Sequence, residues 1–161
     1  MTEYRTMPYD LDAERALLSA ILLNNKIYWA VRDFLTPKEF ALPQHGVTFE
    51  FCRKLIERGE TVEAAAVVKF IGQDDSIEEF EEFSLEDFDK YLTSLPKKIA
   101  EVEAAKAHAV TIHELFIRRE LIGLGEGIVD DAYDREDQTA RERIRFAIAC
   151  LIDLEGSVAT D

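Results

Sequence analysis

A long stretch without proline constrains the fold of this chain more than any other feature. No proline occurs from Lys97 to Ala132, and a helix of that length measures about 50 Å at 1.5 Å per residue. Such a helix is far longer than the usual helix of a globular domain. A polar turn over 133–138 follows it, and the apolar spacing after Thr139 predicts a second helix that ends near Leu154. The sequence therefore predicts a long helical hairpin over residues 97–156.

Local capping signals predict a series of shorter helices before the hairpin. Asp10 is a typical N-cap, residues 36–39 form a capping box with proline at the first helical position, and Gly59 is placed to end the helix that Pro43 begins. With 7 glycines and 4 prolines in 161 residues, the composition is unlike that of a turn-rich β protein. We therefore predict an all-α fold with a compact helical head over 8–95, the hairpin over 97–156, and the start of a linker or tail at 157–161.

Two apolar stripes run along the first hairpin helix, whereas one partner helix covers only one stripe well. The first stripe consists of Val102, Ala105, Ala109, Ile112 and Phe116, and the second of Val110, Ile117, Leu121, Leu124 and Ile128. Two interpretations remain for the second stripe: another chain covers it, or it folds back onto its own head. Because the hairpin extends from the end of the head, we favour another chain. The residues expected at that contact are Ile112, Phe116, Ile117, Leu121, Leu124, Ile128, Ile144, Ile148 and Leu151.

Sequence motifs for catalysis and cofactor binding are incomplete. The chain contains neither G-x-x-x-x-G-K-[ST] nor G-x-G-x-x-G, and the glycines at 123, 125 and 127 lie inside a predicted helix, where they permit close packing or a kink. His113 and Glu114 begin an H-E-x-x-H zinc motif, but residue 117 is isoleucine. We therefore predict no catalytic residue, no metal site and no cofactor, and an enzymatic function that uses His45, His108 or His113 is disfavoured.

Charge and hydropathy exclude further classes of protein. The formal net charge of −14 argues against tight nucleic-acid binding, which requires clustered Lys and Arg. No apolar run approaches the ~20 residues that cross a membrane, and no apolar segment follows Met1 as in a secretory signal. These features predict a cytoplasmic protein in which Cys52 and Cys150 are buried free thiols. Residues 74–89 hold nine acids and no base. A solvated surface is the favoured interpretation of that segment, and the alternative is a docking surface for a basic partner or a mimic of nucleic acid.

Several short motifs occur in one order along most of the chain. They begin with residues 8–25 (PYDLDAERALLSAILLNN) and continue with 35–40 (LTPKEF), 43–45 (PQH), 55–62 (LIERGETV), 118–122 (RRELI) and 131–134 (DAYD). Each motif is short, but their order and spacing resemble the N-terminal domain of DnaB-type replicative helicases. The acidic segment 74–89 and about one additional helical turn before His108 depart from that pattern. These departures bear on partner recognition more than on the fold.

The resemblance implies hairpins that pair between subunits, build a collar on a hexameric helicase and help to bind the C-terminal domain of primase. It covers only the N-terminal domain, because the RecA-like motor and its Walker motifs are absent from this sequence. We therefore expect a non-catalytic oligomerisation and protein-interaction domain that works with a helicase motor domain in the full-length protein. The alternative is a stand-alone adaptor or inhibitor that binds a helicase or primase in trans. The residues of matching motifs that are expected to dock a partner are Arg118, Arg119, Tyr133 and Asp134.

Overall fold

The computed structural model describes residues 5–73, 85–95, 101–134 and 136–159. Within these ranges the chain forms α-helices, one 3-10 helix (Pro37–Glu39) and no strand, so the all-α prediction is confirmed. The helices are α1 (Leu11–Leu23), α2 (Lys26–Val31), α3 (Pro43–Glu57), α4 (Ala64–Gly72), α5 (Leu85–Ser94), α6 (Val102–Tyr133) and α7 (Ala140–Ser157). Most of the acidic segment, residues 74–84, lies outside the described residues, as does the prediction made for it.

Two units make up the fold. The first runs from Asp10 to Ile112 and contains α1 to α5 together with the beginning of α6. The second joins the residues before Asp10 to the chain from His113 onward. One continuous helix, α6, therefore contributes residues to both units, and the predicted boundary between head and hairpin at 95–97 stays a prediction. Among the described helices, none combines the length and apolar character that spanning a membrane requires.

The helix starts and stops of the first unit follow local capping chemistry. The Asp10 carboxylate accepts a hydrogen bond from a backbone N–H in the first turn of α1 at 3.0 Å. The predicted capping box is present, with the Thr36 N–H donating to Glu39 Oε2 at 2.5 Å, although it begins a 3-10 helix rather than an α-helix. Gly59 has a φ of 83° just after α3, the left-handed conformation expected of a glycine that ends a helix.

The hydrophobic core of the first unit takes side chains from α1 to α5 and from the beginning of α6. On α1, Leu17 and Ile21 lie about one turn apart and are fully buried. Phe49 on α3 packs between two aromatic rings, with ring centroids 5.1 Å from Phe40 and 5.9 Å from Tyr28. Burial of these side chains is the main source of stability for this unit.

The first apolar stripe of α6 belongs to this core, where its buried members are Ala105, Ala109 and Ile112. Ile112 is one of the residues expected at a contact with another chain, but only 1% of it is exposed. Because that side chain is enclosed by its own unit, it is not available to a partner, and we leave it out of the contact surface below.

The second unit is a helical hairpin of α6 and α7. Contacts at both ends show that the helices run antiparallel: Arg143 lies near Asp131 beside the turn, and Ala159 lies near His113 at the opposite end. A capping box begins α7. The Thr139 N–H donates to the Glu142 side chain at 2.8 Å, and the Glu142 N–H donates to the Thr139 hydroxyl oxygen at 3.2 Å.

Candidate interaction surface on the helical hairpin

The histidines and cysteines form no reactive cluster among the described residues. Within residues 5–73, 85–95, 101–134 and 136–159, no group of three or more His, Cys, Asp or Glu side chains is placed to hold a metal ion. Both cysteines are free, and Cys52 is buried as predicted, whereas Cys150 is partly exposed on α7. Burial raises the pKa of the Cys52 thiol to about 12, so it is not a thiolate nucleophile near neutral pH.

Helix α7 buries none of its residues, although its sequence is rich in large apolar side chains. Ile144 is 60% exposed, and Phe146 and Ile152 are 61% and 65% exposed. Ile148 and Leu151 are also exposed. A helix this apolar is normally packed on its hydrophobic face, because exposed apolar surface is unfavourable in water. The hairpin therefore presents an apolar surface that none of the described residues covers.

The second stripe of α6 faces solvent over much of its length. Leu121 and Ile128 are exposed, as are Ile122 and Val129 beside them, while Phe116, Ile117 and Leu124 are half-buried. Glycines at 123, 125 and 127 lie within the same helix, and a Cβ atom added at any of them would meet no heavy atom within 4 Å. Within the described part of the chain, nothing packs closely against these glycines.

A groove of about 640 Å³ lies between α6 and α7. Five of the nine predicted contact residues line it: Leu124, Ile128, Ile144, Ile148 and Leu151. Gly123 and Gly127 also line the groove, and an added Cβ at either would point into open space. The structure thus brings together residues of both helices on one apolar surface, which we call the hairpin groove. Phe116, Ile117 and Leu121 lie on α6 outside its lining.

Arg143 ties together the turn end of the hairpin. Its side chain is only 14% exposed, with terminal nitrogens 3.9 Å from an Asp131 oxygen and 3.7 Å from an Asp134 oxygen. It also donates to the backbone carbonyl of Glu136 at 2.9 Å. Tyr133, one residue away from Asp134, is 82% exposed. We call residues 130–134 and 136–138 the hairpin tip; Tyr133 exposes its aromatic ring there, beside the residues that Arg143 contacts.

The four predicted docking residues are not gathered in one place. Tyr133 and Asp134 lie at the hairpin tip, and Asp134 is already engaged there by Arg143. Arg118 forms an ion pair with Glu114 at 3.2 Å one turn back along α6. The Arg119 guanidinium donates to the backbone carbonyl of Pro8 at 2.9 Å. Arg118 and Arg119 therefore have partners within the chain and do not extend the surface at the tip.

Sequence reasoning missed three residues that contribute to this surface. Phe146 and Ile152 were omitted because they lie off the single face that the helical spacing marks on α7. Arg143 is not among the predicted contact or docking residues. The available signal was the apolar character of α7 on more than one side, which is unusual for a helix with only one neighbour.

A family model described as the DnaB-like helicase N terminal domain matches residues 6–114. The chain belongs to this DnaB-like family. The replicative DNA helicase DnaB of Rickettsia felis is 34% identical over 151 residues, a match that covers 93% of this chain and 29% of the relative. The chain thus spans under a third of the length of such helicases. The motif-based resemblance is confirmed.

Solved structures of this domain share the fold. The N-terminal domain of DnaB helicase from Mycobacterium tuberculosis superposes with a TM-score of 0.75 at 24% identity, covering 92% of this chain and 99% of that one. The corresponding domain from Helicobacter pylori, described together with its interactions with primase, gives a TM-score of 0.62 at 25% identity over 76% of this chain and 91% of that one. The DnaB-like fold therefore includes the helices that form the hairpin groove.

Proposed function

We propose that this chain is the assembly and protein-interaction domain of a replicative DNA helicase and that its hairpin groove binds the hairpin of a second copy. The observation that carries the proposal is α7, which buries no residue while exposing Ile144, Ile148 and Leu151. Burying one such side chain fully contributes about 1.5–3 kcal/mol. A few of them suffice to drive association between two copies.

Charge complementarity supports a second copy as the occupant of the groove. The tip carries acidic side chains at Asp130, Glu136 and Asp137, and the start of α7 carries exposed Arg141 and Arg145. Both groups lie at the same end of the hairpin. A two-fold contact with its axis near the tips pairs the acids of one copy with the arginines of the other.

The relatives are named replicative DNA helicases, and this chain spans 29% of the length of one of them. In this proposal, ATP-driven unwinding is carried out by a motor domain outside that portion. The net charge of −14 fits a domain that contacts proteins rather than gripping DNA. The domain then acts in the cytoplasm, as one subunit of a collar on the helicase.

Sedimentation velocity over a wide concentration range tests self-association. We expect a dimer, or a series from dimer to hexamer, in the unmodified chain. Ile148→Glu places a charge in the groove and weakens association by about tenfold or more. Leu23→Glu is the matched control, because Leu23 is 48% exposed on α1 and Ile148 is 50% exposed on α7. A monomer at every concentration, or equal effects of both substitutions, would contradict the proposal. Binding only in trans to a complete helicase would favour the adaptor function instead.

We further propose that the hairpin tip docks primase. Two observations support it: Tyr133 is 82% exposed on a turn held by Arg143, and the Helicobacter pylori domain is described with its interactions with primase. An exposed aromatic anchor on an ordered turn is typical of a protein contact. Calorimetric titration with the cognate primase should show weaker binding for Tyr133→Ala and unchanged binding for Tyr9→Ala. Equal affinity of the Tyr133 variant and the unmodified chain would remove the tip from the primase contact.

A further inference from the structure

The chain turns back onto α6 immediately after α7 ends. The Ser157 hydroxyl donates to the Leu154 carbonyl at 2.7 Å, and the Val158 N–H donates to the Glu155 carbonyl at 3.2 Å. Val158 is extended, with φ −69° and ψ 127°. The next backbone N–H, that of Ala159, donates to Nε2 of His113 at 3.0 Å. A backbone donor beyond the end of α7 thus finds its acceptor on the other helix of the hairpin.

His113 is suited to hold this bond. It is the polar residue at which α6 enters the second unit, and only 9% of it is exposed. Because Nε2 accepts a hydrogen bond, it carries no proton, so the neutral ring has its proton on Nδ1. Because His113 is mostly buried, breaking this bond carries the cost of leaving a buried acceptor without its donor.

Two polar ties therefore hold the hairpin at its opposite ends. Arg143 joins α7 to Asp131 and Asp134 at the tip, and His113 joins the residues after α7 to α6 at the base. The ties are separated along α6 by the residues from His113 to Asp131, which span about 27 Å at 1.5 Å per residue. The hairpin groove of about 640 Å³ lies between them.

We propose that His113 is a latch that fixes the base of α7 and so presets the width of the hairpin groove for a second copy. Among the described residues, none of α7 is fully buried, so apolar packing constrains the separation of the two helices only weakly. The polar contacts at the two ends of the hairpin add the constraint that packing lacks. A partner that binds a preset groove loses less conformational freedom on binding than one that must first order it. The part of this inference that concerns association rests on the proposed function.

The two atoms of the latch allow matched substitutions. His113→Leu fills the site with an apolar side chain and removes the Nε2 acceptor. His113→Gln supplies a side-chain oxygen that can accept the hydrogen bond in place of Nε2. Ala159→Pro removes the donor from an exposed position, and Val158 already has the extended geometry that a residue before proline requires. Ala159→Ser keeps the N–H and is its control. The proline variant leaves the buried His113 unchanged, so it does not depend on a core substitution being tolerated.

Nuclear magnetic resonance of the whole chain tests the latch directly. We expect a scalar coupling across the hydrogen bond between the nitrogen of Ala159 and Nε2 of His113. His113→Leu should accelerate exchange of the Ala159 amide hydrogen by about fivefold, while His113→Gln should largely restore its protection. Absence of the coupling together with unchanged exchange in His113→Leu would overturn the latch.

Self-association tests what the latch does. His113→Leu and Ala159→Pro should each raise the dissociation constant about fivefold, and His113→Gln and Ala159→Ser should leave it close to that of the unmodified chain. If the first two variants associate normally although the Ala159 amide has lost its protection, the link between latch and groove is wrong. If the unmodified chain does not associate at all, the proposed function and this link both fail, while the coupling measurement still decides whether the latch exists.

Discussion

Glu14 and His45 form a buried pair in the first unit, with Oε1 of Glu14 2.8 Å from Nδ1 of His45. The two oxygens of Glu14 also accept the backbone N–H groups of Ala41 at 2.9 Å and Leu42 at 3.3 Å. His45 contacts the Tyr91 hydroxyl through its other ring nitrogen. One carboxylate on α1 thus holds the start of α3, and the histidine extends the network to α5. In this arrangement His45 is a structural hydrogen-bonding residue.

Removal of the Glu14 carboxylate should destabilise the first unit strongly. Glu14→Ala leaves buried N–H groups and an imidazole without their acceptor, so the free energy of unfolding should fall by about 3 kcal/mol. Asp12→Ala is the matched control in the same helix turn, because its ion pair with Arg15 is exposed, and it should change the value by less than about 1 kcal/mol. Urea denaturation followed by circular dichroism measures both. Similar losses for the two variants would mean that the buried network has no special role.

A methyl group at Gly46 should not fit. A Cβ atom there would lie 2.7 Å from the backbone oxygen of Pro37, which cannot swing aside as a side chain can. We expect Gly46→Ala to lower the free energy of unfolding by about 1–3 kcal/mol. Gly125→Ala is the control: an added Cβ meets nothing within 4 Å, and alanine is favoured over glycine inside a helix by about 1 kcal/mol. Thermal unfolding should therefore shift in opposite directions for the two variants.

Alkaline pH should destabilise the fold in part through Cys52. Burial raises the pKa of this thiol from 9.0 to about 12, so the unfolded chain releases the proton first. The contribution of Cys52 is fully present below pH 9 and is lost progressively between pH 9 and about 12. Burial also raises the pKa of Tyr28 and of Tyr91, and these residues act in the same direction.

The share of Cys52 is measurable by substitution. Cys52→Ala should reduce the slope of unfolding free energy against pH in this range by up to about 1.4 kcal/mol per pH unit. Cys150→Ala serves as the control, since Cys150 is partly exposed. A thiol reagent at pH 8 should label Cys150 in the folded chain well before Cys52. An unchanged slope for Cys52→Ala would show that its burial does not govern the alkaline transition.

Loss of Arg143 should loosen the hairpin tip while leaving the first unit unaffected. Arg143→Leu removes the contacts to Asp131, Asp134 and the Glu136 carbonyl. We expect amide exchange at residues 134 and 136–139 to accelerate by about tenfold, consistent with losing one charge-assisted hydrogen bond and weaker ion pairs. Arg141→Leu replaces an exposed arginine two residues earlier on α7 and should change these exchange rates little. Exchange rates that rise equally in both variants would assign the effect to general charge loss.

The local features of the fold were predictable because they depend on few neighbouring residues. Asp10 caps α1, and the Thr36–Glu39 box forms where its spacing indicates. The long helix was predicted from the absence of proline and observed as α6, Val102–Tyr133. The sequence directly shows the periodicity of apolar side chains. It also shows which residues three or four positions apart can form hydrogen bonds.

The partners of each apolar stripe were decided only by the tertiary structure. The apolar character of Ala105 and Ile112 does not indicate whether they pack against α7, the first unit or another chain. In the structure they lie in the core of the first unit. Likewise, no spacing rule pairs Glu14 with His45, or His113 with the N–H of Ala159. The sequence by itself determined which segments are helical, where they begin and which family the chain belongs to. Packing decided which faces are covered, because hydrophobic burial has no direction and contacts between distant residues exist only once the helices have met.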